Sequence, residues 1–418
     1  MEIDVLTGSN NWWTTSKVPS AFLGKFQRPL LEKLKKYLKK RQALLVFGLR
    51  RVGKTTLFYQ LIQYLLDKKI SPLEIFYFSF DERIAGIEDL IKTYEQKVLK
   101  KNLTEIKRVY FFFDEIQKLK DWQNKIKILY DRYPNIKIFL TGSASVLLQR
   151  KSQESLAGRV FDFFLKPLSF SEFLEWKEVQ FSPKNLELYQ RKLMPLFLDY
   201  LRKGGFPEIV EEKEDEVIRK YIKNTVLERI VFKDLPLEFG LKDIELLQVL
   251  IEMIARNPGM IVNFDRLSCD LKRSKVTIIN YFEYLKHGLV IREVKNLRPG
   301  FLITSRKAKK VYPTNTAFCF AYREDFYQDE ILQKVAEVAV AEFLDARFYF
   351  RNNFEVDFVL KKEGEVVPIE VKYGKIDKKQ ITKFLEKFKI KKGLIVSKDV
   401  FVQKESLKII PLWQFLLK

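Results

Sequence analysis

The sequence predicts an α/β protein: a parallel sheet covered by helices comes first, and helical and smaller α+β units follow. Three observations predict it. Short apolar runs, Ala43-Leu44-Leu45-Val46-Phe47, Ile75-Phe76-Tyr77-Phe78, Tyr110-Phe111-Phe112-Phe113 and Ile136-Lys137-Ile138-Phe139-Leu140, are separated by stretches with helical spacing. Strands that alternate with helices in this way form parallel sheets buried on both faces. The first run ends in a glycine-bounded turn, Gly48 to Gly53, that opens straight into a helix. Beyond about residue 170 the pattern turns helical and charged, and alternating strands return only near the C-terminal end.

The chain has 418 residues, and at roughly 100–200 residues per domain two to four domains are expected. With 47% hydrophobic and 31% charged residues it reads as globular and not disordered. No apolar run reaches the ~18 residues that span a bilayer. Met1-Glu2-Ile3-Asp4-Val5 lacks the basic region and apolar core of a secretory signal. A cytoplasmic protein without a membrane partner is expected. Cys269 and Cys319 read as buried small apolar residues, with no ligand-spaced partner for a disulfide or metal. His287, beside Gly288, reads as a helix-end residue without a catalytic role. The net charge of +22, from 76 basic and 54 acidic residues, points to acidic polymers, nucleic acid first. A thermophile-like Lys/Glu surface explains part of the charge but not its excess.

In chain order, apolar positions at 30, 31, 34, 37 and 38 predict a helix over 29–41 leading into the first strand. A helix is expected from Lys54 to about Leu66, and the sheet domain, with its N-terminal segment, runs over 1–170. Residues 171–240 read as a helical lid or linker containing the turn Gly204-Gly205-Phe206-Pro207-Glu208. Helical patterns at 243–256 and 263–271 precede a third helix that Ser274 caps. Strands at 288–294 and 309–313 flank a basic turn, 295–300. Three helices and a basic hairpin make a winged-helix pattern over 241–320. The last unit, 325–418, opens with a helix at 329–345 followed by strand, strand, helix and strand.

Gly48-Leu49-Arg50-Arg51-Val52-Gly53-Lys54-Thr55 has the spacing GxxxxGK[ST], followed by Thr56, and lies between a strand and a helix. That context makes the pattern specific for a P-loop. Gly48 and Gly53 let backbone N–H groups turn inward around phosphates. Lys54 is placed to reach the β- and γ-phosphates, and Thr55 offers a hydroxyl to Mg²⁺. The third apolar run ends in Asp114-Glu115. Asp114 would hold Mg²⁺ directly or through water, and Glu115 would orient or deprotonate the attacking water. The fourth run ends in Thr141-Gly142-Ser143-Ala144-Ser145, where Thr141 and Ser143 are both candidates to sense a γ-phosphate. Arg159, in Ser155-Leu156-Ala157-Gly158-Arg159, is a candidate arginine finger, in cis or on a neighbouring subunit of a homo-oligomer built through this domain.

FGLRRVGKTTL, FFFDEIQKLKDW, LTGSAS, LAGR before KPLSFSEF, and GGFPE resemble a family of archaeal and bacterial AAA+-type ATPases related to the STAND ATPases. The likeness extends from about residue 20 to 400. It implies a P-loop NTPase domain, ATP as the nucleotide, a winged helix and a C-terminal nuclease-like domain. No residue argues independently for ATP over GTP, although no Asn-Lys-x-Asp motif is present.

The alternating stretch 353–360 and Val367-Pro368-Ile369-Glu370-Val371-Lys372 read as neighbouring strands that bring Asp357 and Glu370 together, with Lys372 on the face of Glu370. Asp357 and Glu370 could hold Mg²⁺ while Lys372 orients water. This resembles the PD-(D/E)xK nuclease fold. That fold often adds a glutamate from its first helix, for which Glu337, Glu342 and Glu330 are candidates; Ala336-Glu337 stands where Glu-Asn is usual. Lys378, Lys379, Lys383 and Lys387 of a helix at 378–389 could track phosphates, as Lys275, Thr277, Asn280 and Tyr281 could on the third helix of the winged unit. Two functions are expected from these parts. One is an ATPase, dependent on Mg²⁺ and coupled to DNA binding or processing. The other is a nucleotide-switched regulator or scaffold with slow hydrolysis and no nuclease activity.

Overall fold

The computed structural model describes residues 3–81, 86–143, 156–297, 308–362, 365–404 and 406–417. The chain divides into two compact units, Met1–Lys166 and Pro167–Lys418.

In the first unit, β1 (Ala43–Phe47) leads through the glycine turn into α1 (Lys54–Asp67). The strands β2 (Ile75–Ser79) and β3 (Val109–Asp114), the helix α2 (Trp122–Arg132), and the strands β4 (Ile136–Gly142) and β5 (Val160–Phe164) follow. All five strands are parallel, in the order β2-β3-β4-β1-β5. β2, β3 and β4 are buried along their whole length, which is why their sequences are continuous apolar runs and do not alternate. Phe111 and Phe113 join a core with Phe76, Tyr94 and Ile126. Phe112 points the other way, stacked on Phe139 at 4.3 Å and edge-on to Phe58 of α1.

β2 lies at the edge of this sheet, and the N-terminal segment covers it. Asn10 Nδ2 donates to Tyr77 O (2.9 Å), and its Oδ1 accepts from Tyr77 N (2.7 Å). The indoles of Trp12 and Trp13 both donate to Ile75 O, at 3.0 and 2.9 Å. Backbone groups that an edge strand would leave unpaired are thereby satisfied by side chains. At the amino end of the strands, Lys137 of β4 is fully buried and donates to Lys40 O (2.8 Å) and to Gln42 O. Burial, helped by the charge of Arg108, pulls its ammonium down to about 7.

The second unit begins with helices, among them α3 (Gln190–Lys203), α4 (Ile244–Arg256), α5 (Phe264–Asp270) and α6 (Lys275–His287). Ser274 caps α6 by accepting from Thr277 N at 3.0 Å. The helix expected over 29–41 in the first unit is shorter, Pro29–Lys36. His287 ends α6 and stacks on Phe239. Cys319 is buried, but Cys269, expected to be buried, is exposed because it lies on the outer side of α5.

The short β6 (Met260–Ile261) pairs antiparallel with β8 (Lys309–Pro313), which pairs antiparallel with β7 (Ile291–Asn296). Beyond them come α7 (Asp329–Leu344), β9 (Phe348–Arg351) and β10 (Glu355–Val356), and β9 and β10 extend the same sheet in the order β10-β9-β7-β8-β6. The hairpin and the first strands of the C-terminal segment therefore share one sheet. The strand expected over 353–360 is broken at Asp357. Residues before the break pair with β9, and β11 (Phe358–Lys362) pairs instead with β12 (Glu365–Lys372) in a third sheet. That sheet is completed by α8 (Lys379–Phe388) packed on it and by β13 (Gly393–Ser397), β14 (Val402–Gln403) and β15 (Leu407–Pro411), in the order β11-β12-β13-β15-β14.

The Gly204-Gly205 turn after α3 is a packing device. Gly204 has φ +59° and Gly205 φ +71°. A Cβ on Gly204 would lie 1.8 Å from Asn315 Oδ1, and one on Gly205 would lie 2.1 Å from the backbone oxygen of Leu168. Gly240 also has positive φ, but its Cβ would meet nothing within 4 Å. Gly240→Ala should cost about 1 kcal/mol of unfolding free energy, the ordinary penalty of a side chain at positive φ. Gly205→Ala should cost ~3 kcal/mol or more, because backbone must move. Urea titrations of the two variants check the difference, and equal costs would show that the close approach to Leu168 is unimportant.

Lys137 sets a second expectation. An amine near 7 in the folded chain and near 10.5 when unfolded binds fewer protons folded than unfolded between those values. Its contribution to stability therefore rises as pH increases from 7 toward 10.5 and is flat below 7. Unfolding of the first unit followed from pH 7 to 9 should show this rise, and Lys137→Met should remove it.

Candidate functional site

The first site is built at the carboxyl ends of the parallel strands, where open α/β sheets bind ligands. β4 lies between β1 and β3, so the glycine turn after β1 and the carboxylates after β3 are one strand apart, with the end of β4 between them.

The two glycines of the turn are required for different reasons. Gly53, immediately before α1, has φ +92° and open space around it, so the backbone conformation demands glycine. Gly48 has an ordinary backbone, but a Cβ there would sit 2.3 Å from Leu165 O of the segment following β5. Leu49, Arg50 and Val52 are buried, and Arg51 is exposed with φ +64°. Lys54 is 5% exposed. Its Nζ donates to Leu49 O (2.9 Å) and reaches Gly48 O (3.4 Å), so the ammonium lies inside the arc of the turn. Thr55 and Thr56 follow in the first turn of α1, both half-buried.

Asp114, 3% exposed, is the hub of the site. Its Oδ2 accepts from Thr55 Oγ1 at 2.7 Å and from the Tyr77 hydroxyl at 3.0 Å. Its Oδ1 accepts from Thr141 Oγ1. Thr141 Oγ1 in turn accepts from the backbone N of Glu115 at 3.0 Å. Of the two polar candidates at the end of β4, Thr141 is therefore the one joined to both carboxylate residues; Ser143 is buried two residues on. Burial, reinforced by the charge of Asp114, holds the Tyr77 phenol far above its ordinary range, so it remains a donor. Glu115 adopts φ +52°, a conformation that turns the chain sharply after β3. Its Oε1 is 3.9 Å from Lys54 Nζ, and its Oε2 accepts from Gln117 Nε2 at 2.5 Å.

These residues fit a nucleotide with its magnesium ion. The hydroxyl of Thr55 and the carboxylate of Asp114, the pair of oxygen donors such an ion takes, are already in contact, and the buried ammonium lies among inward-turned backbone. Tyr77 and Gln117 were not singled out from sequence. Tyr77 is hidden in an apolar run, while Gln117 stands in the Asp-Glu-Ile-Gln segment itself.

Arg159 requires a correction. It immediately precedes β5, and its carbonyl accepts from Ala43 N at the start of β1. The glycine turn leaves the opposite end of β1, four residues or roughly 13 Å of strand away. Arg159 instead forms a two-pronged pair with Asp131 of α2, at 2.9 and 3.1 Å. It cannot act on a phosphate bound in its own subunit. Ala144, Ser145 and Ser155 lie outside the described residues.

A second cluster occupies the C-terminal part of the second unit. Asp357 stands at the break between β10 and β11, and its Oδ2 accepts from Val371 N at 2.9 Å. Asp357 N lies 3.4 Å from Glu370 Oε2, and Glu370 pairs with Lys372 at 2.8 Å. Of the three helix glutamates, Glu337 reaches this cluster: Tyr312 donates to it at 2.9 Å. Gln333, one turn earlier on α7, clasps β12 through Val371 O and Tyr373 N. Glu342 lies near Asn315, and Glu330 is exposed. Burial, then the charge of Asp357, raises both Glu337 and Glu370. Lys310, from β8, also enters the cluster, 3.6 Å from Asp357; no sequence motif marked it.

Among the residues expected to meet nucleic acid, Lys275, Asn280, Lys378, Lys379, Lys383 and Lys387 are exposed and Thr277 is half-buried. Tyr281 faces inward, 7% exposed, and accepts from Asp243 N, so it is not a surface group. Of the basic turn, 298–300 lies outside the described residues. No helix among the described residues is long and apolar enough to cross a membrane.

Residues 194–326 match a domain of unknown function (DUF8612), and residues 333–415 match another (DUF4143). An uncharacterized protein of Haemophilus influenzae is 28% identical over 345 residues, covering 78% of this chain and 82% of its own. An uncharacterized protein of Methanocaldococcus jannaschii is 29% identical over 413 residues, covering 90% and 85%. The crystal structure of Saccharomyces cerevisiae RIF2 superposes on 53% of this chain and 95% of its own with a TM-score of 0.30 at 15% identity, too weak a likeness to carry any argument. Residues 40–174, which hold the glycine turn, Asp114 and Glu115, match the AAA domain, and the first unit is accordingly a nucleotide-binding domain of the P-loop ATPase type.

Proposed function

We propose that the protein is a Mg²⁺-dependent ATPase whose nucleotide cycle is coupled to DNA binding. The observation that carries the ATPase reading is the convergence of Thr55, Tyr77 and Thr141 on Asp114, with Glu115 held one residue away against Lys54. Thr55 and Asp114 would hold the magnesium ion, which when bound neutralises phosphate charge. Lys54 can exchange the carbonyls of Leu49 and Gly48 for phosphate oxygens, since both are acceptors for the same ammonium. Glu115 serves as the proton acceptor for water, with Gln117 fixing the direction of its carboxylate. Thr141 ties the backbone of Glu115 to Asp114, so the ion-holding and water-activating groups move together.

The DNA reading is supported by the +22 charge, by α4, α5 and α6 followed by the antiparallel β7–β8 hairpin as in a winged helix, and by the exposed lysines of α8. A second reading has a specific observation behind it. With Arg159 paired to Asp131 at the amino end of the strands, the candidate arginine finger lies away from the glycine turn of its own subunit. That favours slow intrinsic hydrolysis and a nucleotide-switched regulator.

Three measurements test these readings. Lys54→Ala should abolish ATP binding in an equilibrium titration; unchanged affinity would remove the P-loop from the mechanism. Glu115→Gln should bind ATP as the parent does but turn it over about 100-fold more slowly or worse. Duplex DNA should raise the ATPase rate and bind with an affinity that falls about 10³-fold or more between 50 and 200 mM salt if six or more phosphates are contacted. Absence of DNA binding at low salt would leave the switch reading in its place.

A further inference from the structure

The C-terminal cluster contains a cation of its own. Lys310 is the second residue of β8, in register with Ile261 of β6 on one side and Val294 of β7 on the other. Its side chain is 6% exposed. The ammonium is 2.5 Å from Glu355 Oε1 and 3.6 Å from Asp357 Oδ1, and it lies over the ring of Tyr349 at 5.3 Å. Glu355 and Asp357 flank the point where the chain leaves the sheet containing β8 for the sheet containing β12. The lysine of one sheet thus neutralises the carboxylate at the start of the other.

The remaining groups of the cluster also have partners. Glu370 is paired with Lys372, Glu337 accepts from Tyr312, and the second oxygen of Asp357 accepts from Val371 N. No three Asp, Glu, His or Cys side chains among the described residues are arranged to hold a metal ion. A divalent ion on Asp357 would stand beside a buried ammonium and take one of its two carboxylates, leaving Glu355 alone to pair with it. Two cations sharing one buried carboxylate repel each other where water screens little. The arrangement therefore does not fit magnesium, despite the Asp357, Glu370 and Lys372 pattern.

We propose that Lys310 is the resident cation of this cluster, occupying the role that a divalent metal has in a nuclease, so that the C-terminal sheet is closed to metal while β8 keeps its register. The cluster then acts as a cross-sheet ion-pair lock and not as a cleavage site. The lock joins β8, which belongs to the hairpin of the expected DNA-binding segment, to the break at Asp357.

Manganese is the probe, with free Mn²⁺ followed by electron paramagnetic resonance on the full chain without nucleotide. The wild type should show no Mn²⁺ site that Asp357→Asn removes. Lys310→Met, which keeps the length and removes the charge, should gain one site at least tenfold tighter than any wild-type binding, and Asp357→Asn should abolish it. Lys310→Arg, which keeps a cation there, should bind none. A Mn²⁺ ion dependent on Asp357 in the wild type overturns the proposal, as does a folded Lys310→Met that gains no site. Should Lys310→Met fail to fold, the wild type and Lys310→Arg decide: an Asp357-dependent ion in either overturns the proposal, and its absence from both supports it.

Discussion

The carboxylate of Asp114 is the interaction on which the first unit depends. Three hydroxyls from three different elements end on it: Thr55 at the start of α1, Tyr77 on β2 and Thr141 at the end of β4. A carboxylate this deeply buried is tolerable only when its acceptor positions are met. The sheet order supplies that condition, because β4 sits between β1 and β3 and β2 sits on the far side of β3. The nucleotide site and the sheet therefore share one constraint. Any change that shifts one strand in register withdraws a donor from a buried charge, and the same donors define where the ion and the phosphates would be met.

The second unit is organised around a different constraint, the passage of one extended segment between two sheets. Glu355 and Val356 pair in one sheet and Phe358 onward in the next. The residue at the crossing cannot complete a ladder in either, and its side chain takes over: Asp357 accepts from Val371 N of β12. The crossing is also where charge accumulates, with Lys310, Lys372, Glu337, Glu355 and Glu370 around it. Burial opposes the charge on Lys310, but the carboxylates of Asp357, Glu337 and Glu355 hold its ammonium above the usual lysine range. Structural need and the residue types of a cleavage site coincide at this position, so residue types alone do not reveal which one they serve.

How much of this was legible in the sequence follows from the range of the interactions. The P-loop, the Asp114-Glu115 pair and the cap at Ser274 are set by residues within eight positions of one another, and local spacing exposes them. The parallel sheet was legible because burial on both faces leaves unbroken apolar runs. The same unbroken run concealed Tyr77, since without alternation nothing distinguishes a tyrosine that faces the site from one that fills the core. The distance of Arg159 from the glycine turn of its own subunit was hidden because its position depends on the pairing of β5 with β1, more than a hundred residues apart in the chain. Lys310 was overlooked because it meets Glu355 and Asp357 only when two sheets share one strand. Tyr281 lay on the expected face of α6, but its hydroxyl is taken by the backbone before α4.

The cover over β2 bears on assembly. A sheet extends through copies of itself only by an edge with unpaired backbone, and an endless array needs two such edges on every copy. Asn10, Trp12 and Trp13 spend their polar groups on Tyr77 and Ile75, and so remove one of the two. The other end of the sheet is β5. Endless edge-to-edge growth of this sheet is thereby opposed at β2, and residues 10–13 guard the phenylalanine-rich strands behind it.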